Sequence, residues 1–473
     1  MADSFNDPYN FDGYPAVKGL LRLTQTINNG AADGTGIRNL VDICHNLMGP
    51  VIPQIITDYS VSMQNNLFGG YPTSSDIAPS IVFACIFGIL GLFHIVIFSI
   101  NTWRGHHFWI SFAWFLNCMI TMLGFVFRVE WARDISWVNV GLVSEIFLIL
   151  TSVIFASFDL ILAQRLFTWR HPVGGSRKLF WGFMWGTYIG VILILIVTIL
   201  AAFVPYINFL SHRAYENWKI VVMVTSICVI LYSLTSMSLI GLSYLFPPTK
   251  KDENLYTYQP WWIESFKPFY FVKRNAARDA AETFMKRNHN HRHAIRVIAA
   301  THHHYNMVEG LTNQRGTLDH NVSMLLIVVT TILIFIGAVL RSITLFQNRI
   351  NRHLSNLCQP FIMYICWGGF ESLINVLYIV GRVDLRFYRP DRLPKQVRNI
   401  VTAEQSYYPS ENEEEDSYTQ GTGLYSTVND KSFDFAQQEP SPGAQSPPYP
   451  KDDYFYEKNR HNADDDNISD FHF

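Results

Sequence analysis

Residues 79–100 read PSIVFACIFGILGLFHIVIFSI, a run that contains no Lys, Arg, Asp or Glu. An α-helix rises 1.5 Å per residue, so about 20 apolar residues are needed to cross a hydrocarbon core about 30 Å thick. This stretch is therefore long enough to span a bilayer. With it, the chain has seven apolar windows of similar length, at approximately 79–100, 107–127, 138–163, 179–203, 220–244, 322–340 and 357–380.

The composition supports the same conclusion. Of the 473 residues, 49% are hydrophobic and only 16% are charged, whereas a soluble domain carries about 25% charged residues. The charge lies mostly between the windows, which disfavours a soluble protein with seven unusually long core helices. We therefore predict an all-α, polytopic membrane protein with a seven-transmembrane helix bundle and the lipid bilayer as its partner. The net charge of −2 gives no attraction to nucleic acid.

The windows divide the chain into three parts. Residues 1–78 form a polar extracytoplasmic tail, 79–392 the membrane domain with a long cytoplasmic loop at 245–321 (the fifth loop), and 393–473 an acidic tail. The tail is too rich in Glu, Asp, Ser and Pro to bury an apolar core, so it is expected to be disordered. Its serines and tyrosines beside acidic runs suit phosphorylation, or the tail is merely solvated.

The N-terminal tail has one apolar stretch, Leu40 to Ile56, which Pro50 and Pro53 interrupt. Two interpretations remain open. The stretch packs over the outer mouth of the bundle, or it is a short surface-lying segment without a role.

The distribution of Lys and Arg predicts the orientation. With the N-terminus outside, the inner segments hold 22 Lys and Arg and the outer loops hold 7. Cytoplasmic loops carry the excess of positive charge, although long loops follow this rule poorly. Without the fifth loop the counts are 11 and 7, which have the same sign. We predict an outer N-terminus and a cytoplasmic C-terminus.

Three ionisable residues inside the windows are candidates for a buried polar cluster: His94, Asp159 and Glu371. A charged side chain at mid-membrane costs about 2.5–3.5 kcal/mol on insertion scales, so it needs a partner or a function. The three lie at similar predicted depths in the inner half, where a histidine that shares a proton with a carboxylate would couple protonation to conformation. The alternative is that each is satisfied separately and only fixes helix register.

A fourth buried group, Glu145, lies nearer the outer face. Arg128 stands at the outer end of the second window, at a similar depth. We therefore expect Arg128 and Glu145 to form an ion pair.

The sequence predicts no cofactor, no metal site and no enzymatic activity. The fifth loop carries six histidines within 16 residues (His289, His291, His293, His302, His303 and His304), and His289 and His293 have a spacing that can bind zinc on a helix. No cysteine or carboxylate pair completes a site, and a basic segment near anionic lipid explains the composition as well. Nucleophile-elbow, zinc-protease, phosphate-loop and dinucleotide motifs are absent from the sequence.

Several motifs together resemble an uncharacterised fungal family of seven-helix membrane proteins, a domain of unknown function. They are RGH at 104–106, FVFRVEWA at 125–132, DLILAQR at 159–165, FPPTK at 246–250, FES at 370–372 and RVDLRFY at 382–388. The resemblance covers roughly residues 80–392. It implies a seven-helix fold and a membrane location, and such proteins are sometimes labelled as similar to G-protein-coupled receptors.

The receptor motifs themselves are altered. Ala163-Gln164-Arg165 stands where rhodopsin-type receptors have an acidic residue, Arg and Tyr, and Asn375-Val376-Leu377-Tyr378 lacks the receptor proline. A fainter similarity is to fungal lipid-translocating exporters, through Gly124-Phe125 with Arg128, and Ala156-Ser157. The acidic residue that the exporters place before this glycine is missing, so no site is carried over.

Three functions agree with these features. The first is a receptor-like protein that couples an external signal, by an unknown ligand, to a cytosolic signalling protein through the fifth loop and the tail. The second is a membrane transporter or lipid-translocating exporter that uses the buried polar residues. The third is an adaptor that acts through its tails. The expected site is the plasma membrane, although the window lengths permit an internal membrane.

The orientation is directly testable with a protease-cleavable tag at each end of the chain. In intact cells, external protease should remove the N-terminal tag and leave the C-terminal tag, because the excess of Lys and Arg keeps the segments after windows three and seven inside. The reverse pattern would refute the orientation and the receptor hypothesis with it.

Overall fold

Long helices form over all seven apolar windows, because in an apolar medium a helix satisfies its backbone hydrogen bonds internally. The computed structural model describes residues 15–170, 177–245, 257–258, 263, 265–276, 297–298 and 320–388. These residues belong to the first of two compact units, 1–393. The second unit, which holds the predicted acidic tail, lies outside the described residues.

Among the described residues, seven helical spans, TM1 to TM7, are long and apolar enough to cross a membrane. The chain is thus an all-α helix bundle, as predicted. The helices of the spans are Ile77–Trp103 (TM1, preceded by a 3-10 turn at Ser74–Asp76), Trp109–Arg133 (TM2), Val138–Arg170 (TM3), Arg177–Ile207 (TM4), His212–Ser233 with Thr235–Leu245 (TM5), His320–Gln347 (TM6), and Pro360–Met363 with Glu371–Val380 (TM7).

Shorter elements lie outside the spans. They are α1 (Pro15–Ile27), α2 (Ile37–Met48), α3 (Gln54–Ser62), 3-10 turns at Asn351–His353 and Asn356–Cys358, α4 (Val383–Arg386), and two-residue strands β1 (Thr257–Tyr258) and β2 (Val297–Ile298). The strands pair antiparallel.

Two spans are less regular than their windows predict. TM5 is interrupted at Leu234, where the hydroxyls of Ser233 and Thr235 donate to carbonyls of the preceding turn at 2.7 and 2.6 Å. Such bonds from Ser and Thr bend helices. In TM7, residues Tyr364–Phe370 form a π-helical segment. It contains Gly368, against which the ring of Phe83 packs so closely that a Cβ atom would be 2.6 Å away.

TM3 occupies the centre of the bundle. It packs against TM2, TM4, TM5 and TM6, and 61% of its most apolar window is buried, compared with 22% for TM4. The fully buried side chains of Leu148, Phe155 and Leu162 run along it. A shift of TM3 would therefore disturb most of the interior.

The N-terminal segment packs on the end of the bundle where TM1 begins, here called the amino end. The backbone N–H groups of Ala32 and Gly36 donate to the carbonyls of Leu210 and Pro205 at 2.8 and 2.7 Å. Asn66 similarly donates to the carbonyl of residue 349 at 2.9 Å. The apolar stretch forms α2 and α3, and its two prolines lie between these helices.

The other end of the bundle, here called the opposite end, is contacted by part of the fifth loop. Asn275 donates its backbone N–H to the carbonyl of Arg104 at 2.8 Å, and Arg104 donates to the carbonyl of Val272 at 3.1 Å. Val272 packs with Ile263 and Leu385 in a small apolar cluster. We call residues 265–276 the loop cover.

Candidate functional site

TM7 presents a line of three buried polar side chains to its neighbours. Glu371, Asn375 and Tyr378 are spaced at i, i+4 and i+7, which places them on one face of a helix. Each makes a hydrogen bond to another helix. The partners lie on TM1, TM2 and TM3: His94, Cys118, Ser152 and Asp159. Side-chain bonds thus tie TM7 to three other spans.

Asp159 accepts three side-chain hydrogen bonds from two other spans. Tyr378 donates its hydroxyl to Oδ1 at 2.7 Å. Thr330 and Thr331 on TM6 donate to Oδ2 at 2.8 and 3.2 Å. TM3, TM6 and TM7 therefore meet at one carboxylate. The three hydroxyl groups replace the water molecules that would solvate this carboxylate outside the bundle.

Glu371 has fewer partners. The hydroxyl of Ser152 donates to its Oε1 at 2.6 Å, while Oε2 is buried and accepts no hydrogen bond from any described residue. The carboxyl group thus connects TM7 to TM3 through Ser152, and Thr151 on the same helix also lies close to it.

His94 pairs with an uncharged group. Its Nε2 donates to Oδ1 of Asn375 at 3.1 Å. The imidazole centroid lies 5.5 Å from the ring of Trp114, and that ring lies 4.8 Å from the ring of Tyr378. An unbroken row of side chains therefore runs from His94 to the Asp159 site.

The predicted cluster is not one hydrogen-bonded group. Among the described residues, no hydrogen bond joins His94, Asp159 and Glu371 to one another, and His94 does not share a proton with a carboxylate. The physical reason is that other side chains stand between them. Asn375 occupies the space beside His94, and Trp114 separates His94 from the Asp159 site. Each group has its own partners.

The Arg128 guanidinium is fully buried near the amino end. Its Nη1 lies 3.2 Å from Oε1 of Glu145, the pair that the sequence predicts, and Nη2 lies 3.7 Å from Oδ1 of Asp76. Nη2 also donates to the carbonyls of Gly69 and Gly70 at 3.2 and 3.3 Å. These glycines have φ values of 92° and 65°, a region that favours glycine. Arg128 thus joins TM2, TM3 and TM1 to the N-terminal segment.

The π-helical segment of TM7 contacts the same site. The Arg128 guanidinium lies 5.9 Å from the ring centroid of Tyr364, and the Tyr364 hydroxyl donates to the carbonyl of Asp76 at 3.1 Å. It also lies 2.6 Å from Oγ of Ser80. Single turns of π-helix occur frequently at functional sites.

A cavity of about 100 Å³ lies at the amino end. TM3, TM4, TM5 and TM6 form its walls, and the N-terminal segment contributes Gly34 and residues 65–68. Its charged lining residues are Glu145, Lys219, Arg341 and Arg349. Because Glu145 also bonds Arg128, the cavity adjoins the buried ion pair.

At the opposite end, Arg382 holds the loop cover. Its guanidinium donates to the carbonyls of Pro268, at 3.1 Å, and of Tyr270. Its Nη2 lies 2.8 Å from Oδ2 of Asp384, and Asn101 donates to the same oxygen at 2.8 Å. Arg382 has a φ of 47°, so these contacts maintain it in a backbone conformation that is rare for a non-glycine residue.

The titration of this end follows from its burial. Burial alone would raise the pKa of Asp384, but hydrogen bonds from Arg382, and its charge, hold that pKa below the ordinary value. The stability from Asp384 is therefore present above about pH 4 and lost only as pH falls further. Burial lowers the pKa of His106, with Asp384 opposing the shift. Nε2 of His106 donates to the carbonyl of Asp384 at 3.1 Å.

Metal-binding groups are not found among the described residues: no set of three His, Cys, Asp or Glu side chains is close enough there to hold an ion. The six histidines of the fifth loop lie outside the described residues, so the structure does not test whether they bind zinc. All six cysteines are free.

Several residues of these sites were not found by sequence reasoning. They are Thr330, Thr331, Tyr378, Arg341 and the Arg382–Asp384 pair. Tyr378 had a usable signal, since it lies seven residues after Glu371 and therefore on the same face of TM7. The two threonines had none, because uncharged polar residues are ordinary in spanning helices.

The fold defines an all-α, multi-pass integral membrane protein, with seven spans in the part of the chain that the structure describes. Residues 172–388 match a family whose description is protein of unknown function (DUF3112). The match runs from the segment before TM4 to two residues beyond α4. It agrees with the expectation of a family of unknown function over that range and assigns no activity. No curated protein and no solved structure matches the chain significantly.

Replacing Arg128 by Gln should strongly destabilise the bundle. The change leaves Glu145 and Asp76 buried without their cation, which typically costs about 3–5 kcal/mol. Unfolding of the purified protein in mixed micelles measures the loss. The matched control is Arg133→Gln, which breaks the exposed ion pair with Glu130 and should cost less than about 1 kcal/mol. Equal losses would contradict the assignment.

The opposite end should loosen as pH falls from 7.5 to 5.5. When this end opens locally, His106 is exposed and takes up a proton near its ordinary pKa of about 6.5. In the folded state burial lowers the pKa of His106. The stability of this end is therefore fully present above about pH 6.5 and is lost as the pH falls below it. Amide hydrogen exchange of Val383–Phe387, corrected for the intrinsic pH effect, measures the change. The groups that face His106 are Asp384, Arg382 and His107. The variant His106→Gln should abolish the pH dependence, and an unchanged dependence would assign it to another group.

Proposed function

We propose that this protein is a seven-helix membrane receptor, in which a ligand bound at the amino end alters the contacts of the loop cover and thereby its availability to a cytosolic partner. The observation that carries this proposal is the cavity at the amino end, formed by four spans and lined by the N-terminal segment. A concave, mainly apolar site with a few polar groups is the usual form of a ligand pocket.

TM3 and TM6 provide the physical connection between the two ends. Glu145 and Ile149 on TM3 line the cavity, and Ser152, within one turn of Ile149, bonds Glu371. On TM6, Arg341 lines the cavity, while Thr330 and Thr331 bond Asp159 about three turns away. Both walls of the cavity therefore lead to polar contacts with TM7.

TM7 continues the connection to the loop cover. Tyr378 bonds Asp159 near the end of TM7, and Arg382 follows four residues later. A rotation of TM7 would displace Tyr378 and Arg382 together, because Tyr378 lies on TM7 and Arg382 follows shortly after the end of this helix. We propose that the protein lies in the plasma membrane with its N-terminus outside and its C-terminus in the cytoplasm. In this orientation the cavity faces the exterior and the loop cover faces the cytosol. We propose no enzymatic activity.

A transporter is the second candidate, and helix irregularity is the observation in its favour. Transporter sites are commonly built from interrupted helices, and TM5 and TM7 are both irregular. The filled interior favours the receptor, because the side chains of Leu148 and Phe155 on the central helix TM3 are fully buried.

The test uses Asp159→Asn, which weakens the TM3–TM6–TM7 contact without a change of size. Exchange of the amides of Val383–Phe387 should become about 3- to 20-fold faster, since interhelical hydrogen bonds in membranes contribute about 0.6–1.7 kcal/mol. Proximity labelling from the C-terminus in cells should change in parallel. The matched control is Asp134→Asn, an exposed acid between TM2 and TM3.

Two outcomes would contradict the receptor proposal. One is a lower melting temperature with unchanged exchange and labelling, which would make Asp159 structural only. The other is a solute or lipid flux in reconstituted vesicles that the double variant Asp159→Asn, Glu371→Gln abolishes, which would establish transport.

A further inference from the structure

We infer that the amino-end cavity binds a small organic carboxylate, whose charged group is held by Arg341 and whose apolar body fills the space between TM4 and TM5. This deepens the proposed function by naming the class of its ligand. The inference rests on the balance of charge, one buried unpartnered hydroxyl, and the size and lining of the cavity.

The cavity has an excess of positive charge. Its lining contains Lys219, Arg341 and Arg349 but only one acid, Glu145. Glu145 is already paired with Arg128, which stands outside the lining. Glu145 also interacts electrostatically with Arg341. One carboxylate thus faces two guanidinium groups, so positive charge remains in excess.

Lys219 is also accounted for. Its ammonium lies 3.1 Å from the carboxylate of Glu216 and 4.2 Å from the ring centroid of Tyr215. Within the described residues, no hydrogen bond or ion pair is made by the side chains of Arg341 and Arg349. Arg341 interacts with Glu145 only through its charge, so the N–H donors of both guanidinium groups remain for a ligand. Of the two, Arg341 lies inside the span.

The Tyr215 hydroxyl supplies an unpartnered donor at the same cavity. The residue is 4% exposed, and its hydroxyl has no hydrogen-bond partner in the described part of the chain. A buried hydroxyl without a partner costs about 1–3 kcal/mol. An oxygen acceptor in the cavity would remove that cost, so the hydroxyl and the guanidinium favour the same kind of group.

Most of the remaining lining is apolar, apart from Asn65, Asn66, Thr344 and Asn348, and the size of the cavity limits the size of the ligand. The apolar side chains include Leu67, Phe68, Ile149, Phe203, Val222 and Met223. A volume of about 100 Å³ holds roughly seven to ten water-sized positions at 10–15 Å³ each. A carboxylate with one ring or a short aliphatic body fits, and the planar guanidinium binds a carboxylate through two parallel hydrogen bonds.

The test measures ligand binding to the full chain in nanodiscs at pH 7 and constant ionic strength. The probes are benzoate, benzamide as the neutral molecule of the same shape, and phenyl phosphate. Benzoate should raise the melting temperature and bind at least tenfold more tightly than benzamide, because a charge-assisted pair is roughly twice as strong as a neutral one. Phenyl phosphate should bind more weakly than benzoate.

The variants assign the effect to the cavity. Arg341→Gln should remove the preference for benzoate, and Arg341→Lys should retain part of it. Arg213→Gln, a change of an exposed arginine at the same end and outside the lining, is the matched control and should bind like the native protein. If Arg341→Gln does not fold, Tyr215→Phe replaces it, with an expected loss of about three- to tenfold.

Three results would overturn the inference: equal binding of benzoate and benzamide, tighter binding of phenyl phosphate than of benzoate, or a preference for benzoate that survives in Arg341→Gln. If Tyr215→Phe is used instead, an unchanged affinity for benzoate would overturn it. The receptor proposal fails separately. Benzoate that binds through Arg341 but leaves exchange at Val383–Phe387 unchanged supports the ligand class and contradicts coupling. An absence of benzoate binding refutes the ligand class even where Asp159→Asn alters that exchange.

Discussion

Polar side chains inside an apolar bundle must find their partners within the protein, and this constraint sets the position of TM7. A buried polar group without a hydrogen-bond partner raises the free energy of the folded state. TM7 is therefore stable only in the rotation that pairs its three polar side chains with their partners: Glu371 with Ser152, Asn375 with His94, and Tyr378 with Asp159. A turn of TM7 about its axis would break all three contacts. The rest of the bundle is packed around this register, including the π-helical segment that faces TM1.

The same register links the two ends of the molecule. Towards the amino end, TM7 brings Tyr364 to the buried Arg128, which binds the carbonyls of the N-terminal segment and the Glu145 wall of the cavity. Towards the opposite end, TM7 is followed by Arg382 and the loop cover. A change at the cavity can therefore reach the loop cover through packed, hydrogen-bonded contacts. The receptor proposal depends on this connection between the cavity and the loop cover.

Much of the fold, and part of the site, could be predicted from the sequence. Span length and hydropathy depend on composition alone, so all seven spans were identified. Ionisable residues are conspicuous in apolar windows, which is why His94, Asp159 and Glu371 were selected. Their partners were not, since pairing depends on the rotation of each helix. Arg341 directly follows the sixth apolar window, 322–340, so the sequence places it in an outer loop, whereas TM6 continues to Gln347. The cavity that Arg341 lines exists only once four spans are assembled.

The most direct test of the TM7 register is a cross-link between TM6 and TM7. A Cβ atom built at Gly337 lies 3.7 Å from Cβ of Cys366, which is in the π-helical segment, and disulfides need a separation of about 3.5–4.5 Å. Under mild oxidation, Gly337→Cys should form a disulfide with Cys366, detected by mass spectrometry of the joined peptides and abolished by Cys366→Ser. Gly190→Cys, whose Cβ atom would meet no side chain within 4 Å, should form none. A folded Gly337→Cys protein without this cross-link would contradict the register on which the account depends.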